Sequence, residues 1–310
     1  MNIRLVWVAA LLATSACASQ AIPNTPAGPN SALADSAGGN SWASPDAKRH
    51  DLLYVSDFGS GSVSAYSYPE LQPMATLHGL ASPAGECSDR AGNVYITQPN
   101  VGRIREYAHG GTTPIAIFKS SPAPTACSVD PVSGNLAVAN ESSKAGPSEV
   151  TVYAAAQGKP AIYSAKGMYQ HYAVAYDGAG DLFVDGVSRN LKFRLAELAK
   201  GAGGFEAVLA DHQVRVPGNI QWDGTYLAVG DQSKGQLFRF AIAGGRATLA
   251  GTVALSDAWD PCQFWIAGAT VIGPNFLGSN VSIWNYPDGG APTKTISGLD
   301  KPFGVTISAR

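Results

Sequence analysis

Short aliphatic runs that end in a polar residue recur along the chain from about residue 50 onward. A loop of Gly, Asn and Ser follows each run. An aliphatic residue comes next, and in five of the six copies an aromatic residue stands three positions after it. Short runs rich in Val, Ile and Tyr and bounded by turn residues predict β-strands. The six runs are LLYVSD, NVYITQ, NLAVAN, DLFVDG, YLAVGD and TVIGPN.

The runs repeat at a nearly constant interval. Equivalent residues are 41 to 46 positions apart, and they are Val55, Ile96, Val138, Val184, Val229 and Ile272. Two further extended runs lie between successive copies, so each repeat holds four short strands. A repeat of this length with four strands is typical of one propeller blade. The sequence therefore predicts an all-β fold, a six-bladed β-propeller of four-stranded blades. Only Phe193 to Lys200 is expected to form a helical turn, within a loop.

The order of the strands predicts how the ring closes. The body begins with a second strand, LLYV, and ends with an innermost strand, PFGVTIS. We therefore expect the C-terminal strand to join the first blade and close the ring without an exposed edge. The segments that form the innermost strands are expected to begin at Pro83, Pro124, His171, Pro217, Pro261 and Pro302.

Four of these innermost strands are followed by an aspartate, just ahead of a glycine. A carboxylate at this place can accept backbone N–H groups across the turn, while glycine takes the positive φ. We expect Asp89, Asp130, Asp177 and Asp223 to be structural and not a catalytic cluster. Recurring aromatic residues, including Trp222, Trp265 and Trp284, are expected to fill the layers between blades.

The N-terminal segment reads as a targeting signal. Residues 1–17 contain one cation, an apolar run and then small residues, which is the layout of a secretory signal peptide. The sequence Thr14-Ser15-Ala16-Cys17 resembles the lipobox of bacterial lipoproteins, and the resemblance implies lipidation of Cys17; ordinary cleavage nearby is the alternative. Residues 18–48 are rich in Ala, Pro, Asn, Gly and Ser and predict a flexible tether. Residues 49–310 are expected to form the propeller.

Composition narrows the choice of partners. The 310 residues are 45% hydrophobic and 14% charged, with 21 Lys and Arg against 23 Asp and Glu. A net charge of -2 provides no broad positive field, so nucleic acid is not an expected partner. The cysteines beyond the leader, Cys87, Cys127 and Cys262, lack zinc spacing and are expected to be isolated buried thiols. A bridge between Cys87 and Cys127 is the alternative, because both fall on consecutive innermost strands.

The body resembles a known group of propellers. The clearest copies of the shared pattern are Pro83-Ala84-Gly85, continuing through Asp89 to Gly92-Asn93-Val94-Tyr95-Ile96, and Pro302-Phe303-Gly304. This pattern is similar to that of the six-bladed NHL, YVTN and gluconolactonase (senescence marker protein) groups. The resemblance covers about 260 residues. It implies a fold and not a function, because this architecture serves hydrolases, oxidoreductases and binding scaffolds.

Polar residues end the six second strands and are expected to converge at one mouth of the channel. An oxygen-rich ring of this kind could hold a divalent cation such as calcium. The alternative is that these side chains bond the backbone of their own loops. The ring residues are Asp57, Gln98, Asn140, Asp185, Asp231 and Asn275. The resemblance to gluconolactonases implies a different metal set, Glu86, Asn140, Asn219 and Asp231.

Four further residues are candidates for binding a ligand. His171 stands where the other copies have proline, and Trp259 precedes an innermost strand, where it could offer a platform to a sugar or peptide. Asp260 and Gln263 lie beside them in the sequence. No serine-hydrolase elbow, zinc-protease helix, P-loop or dinucleotide fingerprint occurs.

Together these patterns favour an exported binding or scaffold protein at the bacterial cell envelope. The expected partner is a small molecule, a glycan or an envelope protein, and the expected contact with a membrane is a lipid anchor alone. The alternative is a metal-dependent, lactonase-like hydrolase with its site at the channel mouth.

Overall fold

The structure, a computed structural model, describes residues 40–120, 123–141, 147–258 and 260–310. Cys17 and Trp259 lie outside these ranges. Within them the chain is built of strands and three short 3₁₀ helices, Ala47–Arg49, Pro99–Val101 and Ala154–Ala156. None of the helices in the described ranges has the length and apolar character needed to cross a bilayer.

The strands follow one another with short connections. In chain order they are β1 Trp42–Ala43, β2 Asp51–Asp57, β3 Ser62–Tyr68, β4 Pro73–Leu77, β5 Glu86–Ser88, β6 Val94–Gln98, β7 Arg103–Tyr107, β8 Pro114–Lys119, β9 Pro124–Val129, β10 Leu136–Asn140, β11 Glu149–Tyr153, β12 Ala161–Tyr163, β13 Gln170–Tyr176, β14 Leu182–Val187, β15 Phe193–Leu198, β16 Glu206–Ala210, β17 Pro217–Trp222, β18 Leu227–Asp231, β19 Gln236–Ala243, β20 Arg246–Ala254, β21 Trp265–Ala267, β22 Thr270–Asn275, β23 Asn280–Asn285, β24 Gly289–Ser297 and β25 Pro302–Ser308.

These strands form hydrogen-bonded sheets in a propeller-like arrangement. The runs β5–β8, β9–β12 and β21–β24 are four-stranded antiparallel sheets. The first sheet has five strands, in the order β1-β4-β3-β2-β25. A further sheet has eight, because a short parallel pairing of Leu209 with Arg246 joins β16 to β20. The all-β class and the propeller arrangement are confirmed, but the sheets are not six separate four-stranded units.

The C-terminal strand pairs with the beginning of the body, as the strand order predicts. β25 is antiparallel to β2, with Val55 opposite Val305. At the other side of this sheet, Trp42 of β1 lies opposite Thr76 of β4, inside the segment predicted as tether. The first sheet therefore combines strands from both ends of the described chain.

The innermost strands of these sheets lie side by side at the centre. β25 contacts β5, and contacts continue from β5 to β9, from β9 to β13 and from β13 to β17. Gln221 of β17 hydrogen-bonds to Ile266 of β21, and β21 contacts β25. The axis of the molecule is thus surrounded by innermost strands.

Burial explains the sequence pattern. The second strands, β2, β6, β10, β14, β18 and β22, are buried at nearly every position, because neighbouring sheets pack against both of their faces. This double burial requires continuous apolar runs instead of alternation. On the third strands Tyr107, Tyr153, Phe240 and Trp284 are fully buried between sheets. The outer strand β8 instead exposes Ile115 and Ile117.

The aspartate turns have the predicted structural role. Oδ1 of Asp177 accepts the N–H groups of Ala179, Gly180 and Asp181 at 2.8 to 3.0 Å. Gly180 has a φ of 94°, which favours glycine. Asp89, Asp130 and Asp223 accept backbone N–H groups in the same way.

Two local expectations are wrong. The segment predicted as a helical turn is strand β15, because Phe193 and Leu195 pack in the core while the segment pairs with β14 and β16. Cys87 and Cys127 are not isolated thiols: they form a disulfide with a Cα–Cα distance of 5.6 Å, and no described cysteine is a free thiol. Short spacing between adjacent innermost strands makes the bridge possible.

Candidate functional site

The described residues form two cavities on the axis, at opposite ends of the innermost strands. The smaller one has a volume of about 20 Å³ and lies where these strands begin, beside Glu141, Tyr172 and Gln232. The larger one has a volume of about 410 Å³ and lies where they end. Only the larger cavity can admit more than a water molecule or a single ion.

The larger cavity combines aromatic walls with polar groups. Tyr176, Trp222 and Trp265 come from the innermost strands β13, β17 and β21. Ser88, Ser128 and the disulfide of Cys87 and Cys127 form the wall on β5 and β9, and the turns that begin at Asp177 and Asp223 form its rim. The Trp222 ring stacks on Phe183, with ring centroids 6.5 Å apart. An apolar chamber with a few polar groups is the usual form of a small-molecule site.

Two side-chain amides separate the two cavities. Gln263 and Asn219 line both of them. Oε1 of Gln263 accepts the N–H of Glu86 at 3.0 Å and that of Val305 at 3.1 Å, and its Nε2 donates to the carbonyl of Glu86 at 2.7 Å. The Asn219 amide donates to the carbonyl of Phe264 at 2.9 Å. These bonds bridge innermost strands and fix the floor of the larger cavity.

His171 is buried and fully bonded to protein. Its Nε2 accepts the N–H of Ala165 at 3.1 Å, so Nδ1 carries the proton in the neutral ring and lies 2.8 Å from Oγ of Ser148. Burial lowers the pKa of His171 to about 4, which keeps the ring neutral at pH 7. A ligand could reach a ring nitrogen only by displacing one of these partners, and ligand binding by His171 stays a prediction.

The metal set implied by resemblance is spread over different surroundings. Asn140 bonds Ser120 and Thr151, and Asn219 bonds the backbone of Phe264. Asp231 accepts N–H groups from Arg215 and Ser233, whereas Glu86 is near Tyr54 of the first sheet. The described residues contain no group of three His, Cys, Asp or Glu side chains arranged to hold a metal. The four residues therefore do not surround one common position in these contacts. Binding of a cation by them stays a prediction.

Several members of the polar ring bond backbone, both in their own loops, as at Ser60 and Ser233, and in the segments that lead into innermost strands. Oδ2 of Asp57 accepts the N–H of Asp300 at 2.8 Å, just before β25. Oδ1 of Asp185 accepts the N–H of Ala173 in β13 at 3.0 Å, and Asp231 similarly accepts the N–H groups of Arg215 and Val216 before β17. These carboxylates therefore attach the entry of an innermost strand to the second strand of the same sheet.

A buried polar pair lies between the first sheet and the sheet β5–β8. The side-chain oxygens of Glu86 and the amide of Gln98 are buried and have no hydrogen-bond partner within the described residues. Glu86 is opposite Ile96 in the ladder, two positions from Gln98, so both side chains are on one face. Burial raises the pKa of the Glu86 carboxyl well above its usual value, which favours its protonated form.

Two carboxyls at the other end of the axis are also affected by burial. Burial raises the pKa of Glu141, beside the smaller cavity, to about 8. Burial likewise raises the pKa of Asp260 to about 6. Asp260 and Gln263 both lie in the segment that precedes β21. Trp259 is outside the described residues.

The larger cavity lies at the mouth opposite to the one predicted from the sequence. The sequence pattern predicts that Trp222 and Trp265 fill the layers between blades, yet both are only half-buried and face this cavity. The signal that could have identified them is positional. Tyr176 and Trp222 each stand immediately before the turn aspartate of an innermost strand.

Comparison with known proteins identifies the fold. No protein-family model matches the chain, and no curated protein matches its sequence. Among solved structures, one from a nidogen/laminin complex has a TM-score of 0.69 at 14% identity, covering 84% of this chain and 98% of that one. The fold is a β-propeller.

Other propellers similar to this chain have different activities in their names. A candidate 6-phosphogluconolactonase from Bacteroides fragilis has a TM-score of 0.60 at 15% identity, covering 85% of this chain and 99% of that one. Streptogramin B lyase has a TM-score of 0.51 at 14% identity, with coverages of 82% and 77%. At these identities the likeness establishes the fold alone, and function has to be argued from the site.

Proposed function

We propose that this propeller is an exported binding protein that takes a small molecule into the cavity of about 410 Å³ at the carboxyl ends of the innermost strands. The observation that carries this proposal is the cavity itself. Its volume is within the range of about 300–1,000 Å³ that is usual for ligand sites, and rigid strands supply its walls. A glycan or the tip of an envelope protein is a larger occupant that could enter from the same mouth.

We also propose that the sheets act as six blades. Each of the six innermost strands starts a run of four antiparallel strands, in support of this count. The additional strand β1 accounts for the five-stranded sheet, and the parallel contact between β16 and β20 accounts for the eight-stranded one. Six repeats around one axis would place six turns at the mouth of the larger cavity.

Export is the third part of the proposal. Residues 1–17 have the layout of a secretory leader, and the Cys87–Cys127 disulfide suits an oxidising compartment. Lipidation of Cys17 would hold the domain at the cell envelope. Cell fractionation and intact mass of the mature protein test this: an acylated N-terminal Cys17 supports the anchor, and an unmodified N-terminus after Cys17 excludes it.

Ligand capture tests the binding function. The protein is isolated from its own host and analysed by native mass spectrometry, beside the cavity variant Trp222→Leu and the control Gln232→Leu at the smaller cavity. We expect a bound mass in the wild-type protein and the control that is lost in Trp222→Leu. If no small molecule is bound, or if Trp222→Leu retains it while remaining folded, the assignment to this cavity is wrong.

A further inference from the structure

The lining of the larger cavity is acidic and contains no cation. Among the described residues that form it, two carry carboxylates, Asp177 and Asp223, and none is Lys, Arg or His. An anionic ligand placed there would meet like charge without a compensating donor cation. The charge of the lining therefore favours a neutral or positively charged ligand.

The two carboxylates differ in their partners. Nε of Arg239 lies 2.9 Å from Oδ2 of Asp223, and the guanidinium stacks over the rings of Tyr226 and Tyr286. Asp223 is thus neutralised within the protein. For Asp177, Oδ1 accepts three backbone N–H groups, but in the described part of the chain Oδ2 has no hydrogen-bond or ion-pair partner. The charge of Asp177 is available to a ligand.

Further negative charge lies beside Asp177. Asp181 and Glu197 are close enough to Asp177 that the two aspartates act electrostatically on Glu197. Glu206 is paired opposite Glu197 across β15 and β16. This side of the mouth therefore has an excess of carboxylates, and a cation approaching the cavity would be attracted by it.

The aromatic walls suit the same kind of ligand. Tyr176, Trp222 and Trp265 come from three consecutive innermost strands and border one chamber. Aromatic faces attract ammonium groups through their quadrupole, and several rings around one chamber form the usual site for a quaternary ammonium. The rings also provide apolar surface for the carbon substituents of such a group.

The uncharged side chains Gln221, Ser88 and Ser128 of the lining are already bonded to protein, which disfavours a neutral sugar. Gln221 uses its oxygen and its nitrogen on the backbone of Ile266, at 2.7 and 3.1 Å. Ser88 donates to the carbonyl of Ile307, and Ser128 accepts the N–H of Tyr176. A polyhydroxylated ligand would have to compete with these bonds, whereas an organic cation needs only aromatic faces and one carboxylate.

From these observations we infer that the ligand of the larger cavity is an organic cation with a substituted ammonium group, held between the aromatic rings of Tyr176, Trp222 and Trp265 and paired with Asp177. This inference rests on the proposed binding function and specifies its ligand class. The ammonium and its alkyl groups lie against the rings, and Oδ2 of Asp177 supplies the counter-charge.

A matched pair of probes tests the inference on the full chain. Choline and its uncharged carbon analogue 3,3-dimethylbutan-1-ol have nearly the same shape, and their binding is measured by isothermal titration calorimetry and tryptophan fluorescence. We expect choline to bind at least about tenfold more tightly, and added salt to weaken only choline. Asp177→Asn should reduce choline binding about tenfold, whereas Asp89→Asn, the same turn outside the cavity, should leave it unchanged.

Trp265→Leu is a second variant, and it leaves the turn at Asp177 unchanged. It should weaken choline binding while circular dichroism shows a folded protein. If the two probes bind with equal affinity, and if Trp265→Leu abolishes the binding of both, the ligand is not selected for positive charge and the inference is wrong. Binding in the cavity would still be supported. Absence of binding by both probes would also overturn the inference, and the binding function would then be judged by native ligand capture alone.

Discussion

The side-chain amide of Gln263 forms two hydrogen bonds with the backbone of Glu86, accepting its N–H at 3.0 Å and donating to its carbonyl at 2.7 Å. The amide therefore forms the pair of backbone hydrogen bonds with β5 that a neighbouring strand would form. Gln221 does the same for Ile266, at 2.7 and 3.1 Å. Two glutamines thus link innermost strands through paired hydrogen bonds to backbone, around the floor of the larger cavity.

Replacing Gln263 should measure the strength of this link. Gln263→Leu leaves the backbone N–H and carbonyl of Glu86 buried without these partners, which is expected to cost about 1–3 kcal/mol of the free energy of unfolding. Urea denaturation followed by fluorescence gives the value. The exposed Gln157→Leu is the control and should change stability by less than about 0.5 kcal/mol. Equal stability of the two variants would show that the bridge contributes nothing.

Removing the disulfide should destabilise the propeller. In Cys87→Ala/Cys127→Ala the closed loop between positions separated by 40 residues is opened, and chain entropy predicts a loss of about 4 kcal/mol. Urea unfolding of this variant and of the wild-type protein, both without reductant, measures the difference. Coincident unfolding curves would mean that packing between β5 and β9 alone fixes these strands.

Glu86→Gln should stabilise the protein at neutral pH. Burial raises the pKa of Glu86, so between the unfolded and folded pKa values the native state holds a proton that the unfolded state has released. Wild-type stability therefore falls as the pH rises through this window, by about 1.4 kcal/mol per unit, and the glutamine variant lacks this loss. Unfolding free energies at pH 4 to 8 test it, with the exposed Glu70→Gln as control. A variant less stable at pH 7 would instead indicate an ionised Glu86 held by a bound cation.

Arg239→Met should give a pH dependence of the opposite sign. Burial acts to raise the pKa of Asp223, but hydrogen bonds from Tyr286, Tyr226, Thr225 and Arg239 hold it below its usual value. Its contribution to stability is present above the unfolded pKa, near 4, and is lost as the pH falls through the folded pKa.

The loss in Arg239→Met should therefore be about 2 kcal/mol at pH 7 and should diminish in acid. Arg49→Met is the control, because its ion pair with Asp46 is exposed and should contribute little. A loss in Arg239→Met that is the same at pH 3 and pH 7 would exclude the charge of Asp223 as its cause.

The strand order, the double burial of the second strands and the aspartate turns could be predicted because each depends on residues close together in sequence. Val55 and its equivalents need apolar neighbours on both faces, and that need is visible as a continuous run. The parallel contact of Leu209 with Arg246 could not be predicted, because it depends on how far two outer strands extend.

The site was harder to predict than the fold. Trp222 and Trp265 have the sequence pattern of interior residues, and only the three-dimensional arrangement shows that they face an open chamber. The bonds of Gln263 to Glu86 join residues 177 positions apart, and no local pattern indicates them. The sequence also does not indicate which carboxylate is paired with a cation. Only the structure shows that Arg239 pairs with Asp223 and not with Asp177.

The pairing of β25 with β2 also affects biogenesis. While the chain is being synthesised, the first sheet stays incomplete until Pro302–Ser308 has left the ribosome, and the inner edge of β2 is free to pair with another polypeptide. Folding of the whole domain therefore waits until β25 has been synthesised and can pair with β2. Truncation before Pro302 should yield molecules that associate through the vacant edge.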